Sequence, residues 1–281
     1  MTLLHDTWLV GTGNGLYAPH AQGHWQRLGA YQFQITALHR TPRRILVATG
    51  SGLWQLDQDR WLQLHDETLT EVLDVIEHQG QFFAASAYGL ALGKEVDAGR
   101  TCWHWLSDHL PVDQRFTNAL AAGDGDLLVG TEGGLLIYNA AGDWRTSPIE
   151  GVAVRCLAQT HQGYYAGSDT GLWFSHDAGA WQRLAESIPV YCLAAAGPHL
   201  LAGTEDGLRL IQNGPTWQPL GLEATRITAL AVDPNAGDHW LAGAAPGGLW
   251  ESWDAGQSWT SVPQIRQDVT TILTPGAKRG L

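Results

Sequence analysis

The stretch Leu128-Val-Gly-Thr-Glu-Gly-Gly-Leu135 decides the fold, because the same octapeptide returns along the whole chain. It reads Leu9-Val-Gly-Thr-Gly-Asn-Gly-Leu16, Leu46-Val-Ala-Thr-Gly-Ser-Gly-Leu53 and Phe83-Ala-Ala-Ser-Ala-Tyr-Gly-Leu90 on one side of it. Tyr165-Ala-Gly-Ser-Asp-Thr-Gly-Leu172 and Leu201-Ala-Gly-Thr-Glu-Asp-Gly-Leu208 follow, and a looser copy runs from Leu241-Ala-Gly-Ala to Gly248-Leu249. Anchored on Gly15, Gly52, Gly89, Gly134, Gly171, Gly207 and Gly248, the spacings are 37, 37, 45, 37, 36 and 41 residues. That period suits one blade of a radial array.

Around each anchor lie four short apolar runs, as in Ile35-Thr-Ala-Leu38, Ile45-Leu-Val-Ala48, Leu53-Trp-Gln-Leu56 and Trp61-Leu-Gln-Leu64. They are too short for helices and are separated by turn residues, so they read as strands. The glycine before each Leu supplies the positive φ of a tight hairpin, and the Thr or Ser before it bonds the turn backbone. The expected fold is all-β, a seven-bladed β-propeller of four-stranded antiparallel blades. The repeats use residues 8–273, so one domain spanning 1–281 is expected.

A ring of blades has to close, since an open edge invites aggregation. Inner-strand signals number eight, from Met1–Leu4 to Val269–Ile272, and the last has no outer strands after it. Val269–Leu273 is therefore expected to close the ring as the innermost strand of the first blade, displacing or flanking Met1–Leu4. Trp25, Trp61, Trp144, Trp181, Trp217 and Trp259 fall 9 to 11 residues after their glycines, and Trp103 or Trp105 serves the third repeat. A ring at one position of every blade reads as a plug between blades rather than as a sugar platform.

The chain has 44% hydrophobic and 16% charged residues, a globular balance. Its formal charge of −12 disfavours nucleic acid and anionic lipid as partners and favours a basic one. No apolar run has membrane length, and the amino terminus has no positive n-region, so a soluble, cytoplasmic protein without membrane insertion is expected. Cys102, Cys156 and Cys192 form no CxxC pair, which suits a reducing compartment; Cys156 and Cys192 share a column and read as small buried residues.

Ser252-Trp-Asp-Ala-Gly-Gln-Ser-Trp259 matches the Asp-box in full, with Ser252, Asp254, Gly256 and Trp259 in structural roles; worn copies stand at Ser175–Trp181 and Val96–Trp103. With the Gly-Thr-x-x-Gly-Leu signature added, residues 8–273 resemble the BNR/Asp-box superfamily of propellers. The look is closest to the photosystem II assembly-factor-like and regulator-type groups. That resemblance implies a non-catalytic scaffold that binds another protein or complex, an assembly or stability factor for a multi-subunit complex such as a photosynthetic membrane complex. Sialidases share the Asp-box, but their Arg-Ile-Pro segment is absent here.

Few residues remain for chemistry. His39, His78, His161 and His199 share no column and no ligand spacing, so neither metal nor cofactor is expected. Glu132, Asp169 and Glu205 occupy one turn position in three consecutive blades, with Asp206 beside the last, and form a candidate acidic binding rim unless each simply bonds its own turn. Asp74 and Arg155 stand where inner strands otherwise carry small, apolar or hydroxyl residues, so each should be paired or hydrated in the central channel. No phosphate loop, nucleophile elbow or dinucleotide fingerprint appears, and no catalytic residue is expected. The alternative is a channel that binds a glycan or small molecule, or a glycoside hydrolase or lyase working there.

Overall fold

A computed structural model describes residues 4–29, 31–57, 60–97, 100–186, 188–212 and 217–277. They form seven antiparallel sheets of four strands each. The innermost strands of blades 1 to 7 are Val269–Leu273, Ile35–Arg40, Val72–His78, Thr117–Ala122, Val154–Thr160, Val190–Ala196 and Ile227–Val232. Each touches the next, and the seventh returns to the first, so the chain is the expected propeller.

Closure falls to the carboxyl-terminal strand. Val269–Leu273 pairs antiparallel with Leu9–Thr12, whereas Leu4–Asp6 is a single 3₁₀ turn and residues 1–3 lie outside the described residues. The Arg40 guanidinium fastens both ends of the chain, donating to the carbonyls of Leu4 at 3.1 Å, Thr7 at 3.2 Å and Thr274 at 3.0 Å. Burial lowers the pKa of Arg40 while nearby Asp6 raises it.

The signature octapeptide forms the turn between the second and third strands. In blade 4, Thr131 Oγ1 donates to Gly134 O at 2.9 Å and accepts from Gly133 N at 3.1 Å, so one hydroxyl closes the hairpin. Gly134 has φ +138°, and a Cβ there would run into Ile149 O. Residues 252–259 make a second kind of turn, in which Asp254 accepts from Ser252 Oγ, Ser258 N and Ser258 Oγ, and Gly256 N donates to Ser252 Oγ at 2.8 Å. The worn copy at Ser175 repeats part of this, with Asp177 accepting from Gly179 N and Ala180 N; the copy near Val96 includes positions outside the described residues.

Seven apolar clusters lie between neighbouring blades, and each takes one of the expected tryptophans. Trp181 packs with Leu135, Ile137 and Ile149 of blade 4, and Trp25 with Leu241, Leu249 and Ile265 of blade 7. The third repeat uses Trp103, whose Nε1 donates to Leu64 O of blade 2 at 2.9 Å. Truncating such a wedge to Ala costs about 3–5 kcal/mol in a packed core. The long spacing after Gly89 comes from extended outer strands, Gly89–Asp97 and Arg100–Trp105, and a loop containing the short helix Val112–Arg115.

Candidate functional site at the channel mouth

Every inner strand bulges at its second residue. Ile35 pairs with Thr49 and Ala37 with Ala48, for example, which leaves Thr36 unpaired, and the other blades repeat the shift. The bulged residues in ring order are Thr270, Thr36, Leu73, Asn118, Arg155, Tyr191 and Thr228, and they line a central cavity of about 210 Å³. This mouth opens on the face carrying the signature turns, called the upper face below.

Four of the bulged side chains tie their blade to the next. Thr270 donates to Ile35 O at 2.5 Å, Thr36 to Val72 O, Asn118 to Val154 O at 3.3 Å and Thr228 to Val269 O at 2.6 Å. Leu73, Arg155 and Tyr191 do not make this bond, and in those three blades the next residue makes the joint instead. Cys156 Sγ donates to Val190 O and Cys192 Sγ to Ile227 O, both at 3.7 Å. At the remaining joint the polarity reverses, and Asp74 accepts from Leu120 N of blade 4 and from Val75 N, each at 2.8 Å. Burial raises the Asp74 carboxyl to about 6 against the pull of those two amides, raises Cys192 to about 12 and raises Cys156 well above its usual value. The two cysteines are thus protonated donors rather than nucleophiles.

The arginine freed from tying is the centre of the rim. Arg155 Nε and Nη2 reach Asp169 Oδ1 and Oδ2 at 2.8 Å, and Nη1 reaches Glu132 Oε1 at 2.6 Å. Asn118 Nδ2 adds a bond to the same Glu132 oxygen at 3.0 Å. The Asp169 hydrogen bond, followed by the nearby charges, drives the Arg155 pKa up. One blade further, Glu205 accepts a two-point grip from Arg226 at 2.8 and 2.9 Å and the Tyr191 hydroxyl at 2.7 Å, and these bonds, Arg226 first, hold its carboxyl below the usual range. Asp206 stays exposed, with its backbone N bonded to Thr204 Oγ1.

The structure therefore brings Glu132, Asp169 and Arg155 together, sets Glu205 in a second cluster and leaves Asp74 apart at its joint. The rim is acidic in sequence but locally compensated in space. Tyr191, Asn118 and Arg226 escaped the sequence reading, although Tyr191 and Asn118 stand in the column that singled out Arg155. None of the three carboxylates presents both oxygens free for acid–base work. Of the four histidines, His39 accepts from Glu77 N at 3.2 Å, and burial depresses it to about 4. Among the described residues no group of three or more His, Cys, Asp or Glu side chains could hold a metal ion.

No protein-family model and no curated protein matches this sequence. Solved structures do. The extracellular domain of a hybrid two-component system from B. thetaiotaomicron is similar with a TM-score of 0.66 and 14% identity, over 93% of this chain and 36% of that one. The virginiamycin B lyase of Staphylococcus aureus gives 0.64 and 11%, over 87% and 94%. The GH74 xyloglucanase of Xanthomonas campestris gives 0.61 and 18%, over 90% and 46%. This chain spans less than half the length of the first and last of these. A two-component-system domain, a lyase and a xyloglucanase sharing one architecture at such identities show a propeller fold and leave the activity to the residues.

Proposed function

We propose that the chain works as a single propeller domain, residues 1–281, that binds another protein through its upper face and is not itself an enzyme. The observation that carries this reading is where exposed apolar side chains gather. Six large hydrophobics are exposed among the described residues, and Tyr88, Val112 and Phe116, at 54%, 73% and 40%, all belong to the inserted loop or to the turn beside it. The helix Val112–Arg115 sits between the upper turns of blades 3 and 4, since Gly133 N donates to Asp113 O and Glu132 N to Phe116 O, and the Arg115 chain lies over Gly89. The patch thus adjoins the Glu132–Arg155–Asp169 cluster. A concentration of apolar surface with a charged rim has the anatomy of a protein interface.

The channel supports the alternative less well. Its volume of about 210 Å³ falls below the roughly 300–1,000 Å³ of ordinary ligand pockets, and its two charged lining residues are engaged elsewhere, Arg155 with Asp169 and Glu132 and Asp74 with backbone amides. The full Asp-box pattern and the bonds inside turn 252–259 agree with a BNR/Asp-box propeller, and by that resemblance the partner is a subunit of a complex that this protein helps to assemble. Three free cysteines fit a reducing, cytoplasmic setting. Among the described residues no helix is long and apolar enough to cross a membrane.

The test is affinity capture with the purified chain from its native cell. A stoichiometric partner is expected, released by Tyr88→Asp with Phe116→Asp and weakened by Glu132→Lys with Glu205→Lys, while thermal melts show the variants folded. Turnover of a glycoside or lyase substrate, or recovery of the free chain alone, would overturn the reading.

A further inference from the structure

Adjacent clefts on the lower face are built alike and filled differently. Between blades 3 and 4, Tyr138 closes the gap to a cavity of about 70 Å³. The corresponding position of blade 3 is Gly93, over which the Trp103 ring lies so closely that a Cβ would meet it at 2.9 Å. With no side chain available there, the cleft between blades 2 and 3 opens to about 760 Å³. It continues outward into a second cavity of about 680 Å³, the two sharing Arg43, Arg44 and Glu95 as a common wall. Together they exceed an ordinary small-ligand pocket and make a groove open toward the rim of the disc.

The geometry points to a second binding site in this groove, taking an extended acidic peptide segment of a partner protein. Charge is the first argument. The chain has 28 acidic and 16 basic residues, yet the inner cavity is walled by three cations against Glu77 and Glu95. Arg44 is held in place by Glu95 at 2.6 Å and lies over the Phe82 ring at 5.1 Å. Arg43 and Lys94 are exposed and have no carboxylate partner among the described residues. Lys94 is one of only two lysines in the chain. Two unpaired cations in a groove of an otherwise acidic protein favour an anionic occupant.

Shape is the second argument. The outer cavity runs along Arg60–Gln63, the edge strand of blade 2, whose outward backbone groups have no partner strand among the described residues. Leu62 on that strand is 42% exposed and faces into the groove. An edge strand next to an apolar contact and fixed cations suits an extended chain that alternates apolar and acidic side chains.

The experiment uses a fluorescein-labelled peptide of alternating Asp and Leu, with its Lys–Leu counterpart, and reads anisotropy on the intact protein. The acidic peptide should bind, more weakly as salt rises, and Arg43→Glu with Lys94→Glu should raise its Kd at least roughly tenfold, with Leu62→Asp also weakening it. These side chains are exposed, so unchanged thermal melts confirm folded variants. Unaltered affinity in the charge-reversed variant, equal binding of the Lys–Leu peptide, or no binding of either would overturn the proposal. Full displacement by citrate or inorganic phosphate alone would replace it with a small-anion site.

Discussion

The joint between blades 7 and 1 and the joint between blades 3 and 4 do the same job with opposite chemistry. At the first, a Thr228 hydroxyl donates to a carbonyl of the next blade; at the second, the Asp74 carboxylate accepts an amide from it. A neutral hydroxyl can tie a joint at any pH. A buried carboxyl ties it above its pKa at the cost of a charge taken out of water, and the Asp74 pKa of about 6 records that cost. The ring is thus uniform in geometry and non-uniform in electrostatics. The departures begin in blade 3, where Leu73 takes the bulge, and recur in blades 5 and 6, where Arg155 and Tyr191 reach the mouth instead of tying.

The largest expected effect sharpens that contrast through pH. Asp74 is fully buried, and its folded pKa of about 6 stands above the usual 3.8. The folded state therefore holds the proton more tightly, so the stabilising contribution is complete below pH 3.8 and is lost as pH rises through 6. A gap of about two units is worth roughly 3 kcal/mol at 1.36 kcal/mol per unit. Asp74→Asn cannot titrate, so its stability relative to the native chain should rise by about that much between pH 4 and pH 7, read from urea midpoints. Parallel curves for the two proteins would show that Asp74 carries no such charge penalty.

The intermediate effect tests the hydroxyl joint. Thr228→Val keeps the shape and deletes the donor, leaving the Val269 carbonyl without that bond, at a cost of about 1 kcal/mol and with no pH dependence. Tyr191→Phe should cost less, because Cys192 rather than Tyr191 makes the joint from blade 6 and Glu205 keeps Arg226. Chemical denaturation ranks the two. The reverse order would mean that the bulge column, and not the tie, holds the ring.

What repeats was legible in the sequence, and what depends on register was not. Blade count, closure by Val269–Leu273 and the tryptophan wedges follow from periodicity, because each blade states the same answer again. The pairing of Arg155 with both Glu132 and Asp169 was hidden, since it depends on a bulge that turns a strand residue toward turns 23 residues earlier and 14 later. Arg155 stood out as a charge in an apolar column, whereas Tyr191 drew no notice because an aromatic in a strand looks ordinary. The groove between blades 2 and 3 was invisible for a similar reason. Gly93 is one glycine among 34, and only its contrast with Tyr138 in the neighbouring blade gives it meaning.

The smallest effect belongs to the sulfur joints. A thiol donating at 3.7 Å is a weak bond, and burial keeps Cys192 protonated far above neutral pH. Cys192→Ser supplies a better donor on a shorter arm, so gain in bond strength and loss in reach and apolar packing oppose each other, and the net change should stay within about 0.5 kcal/mol. The sulfur also fills space above Gly203, where a Cβ could not fit beside it. If Cys192→Ser proves more damaging than Thr228→Val in the same denaturation assay, packing rather than hydrogen bonding holds blades 6 and 7 together. The ring would then have two kinds of joint separated by volume, and the sector bearing Arg155 and Tyr191 would be the one whose bulges are released because cysteine sulfur fills the gap behind them.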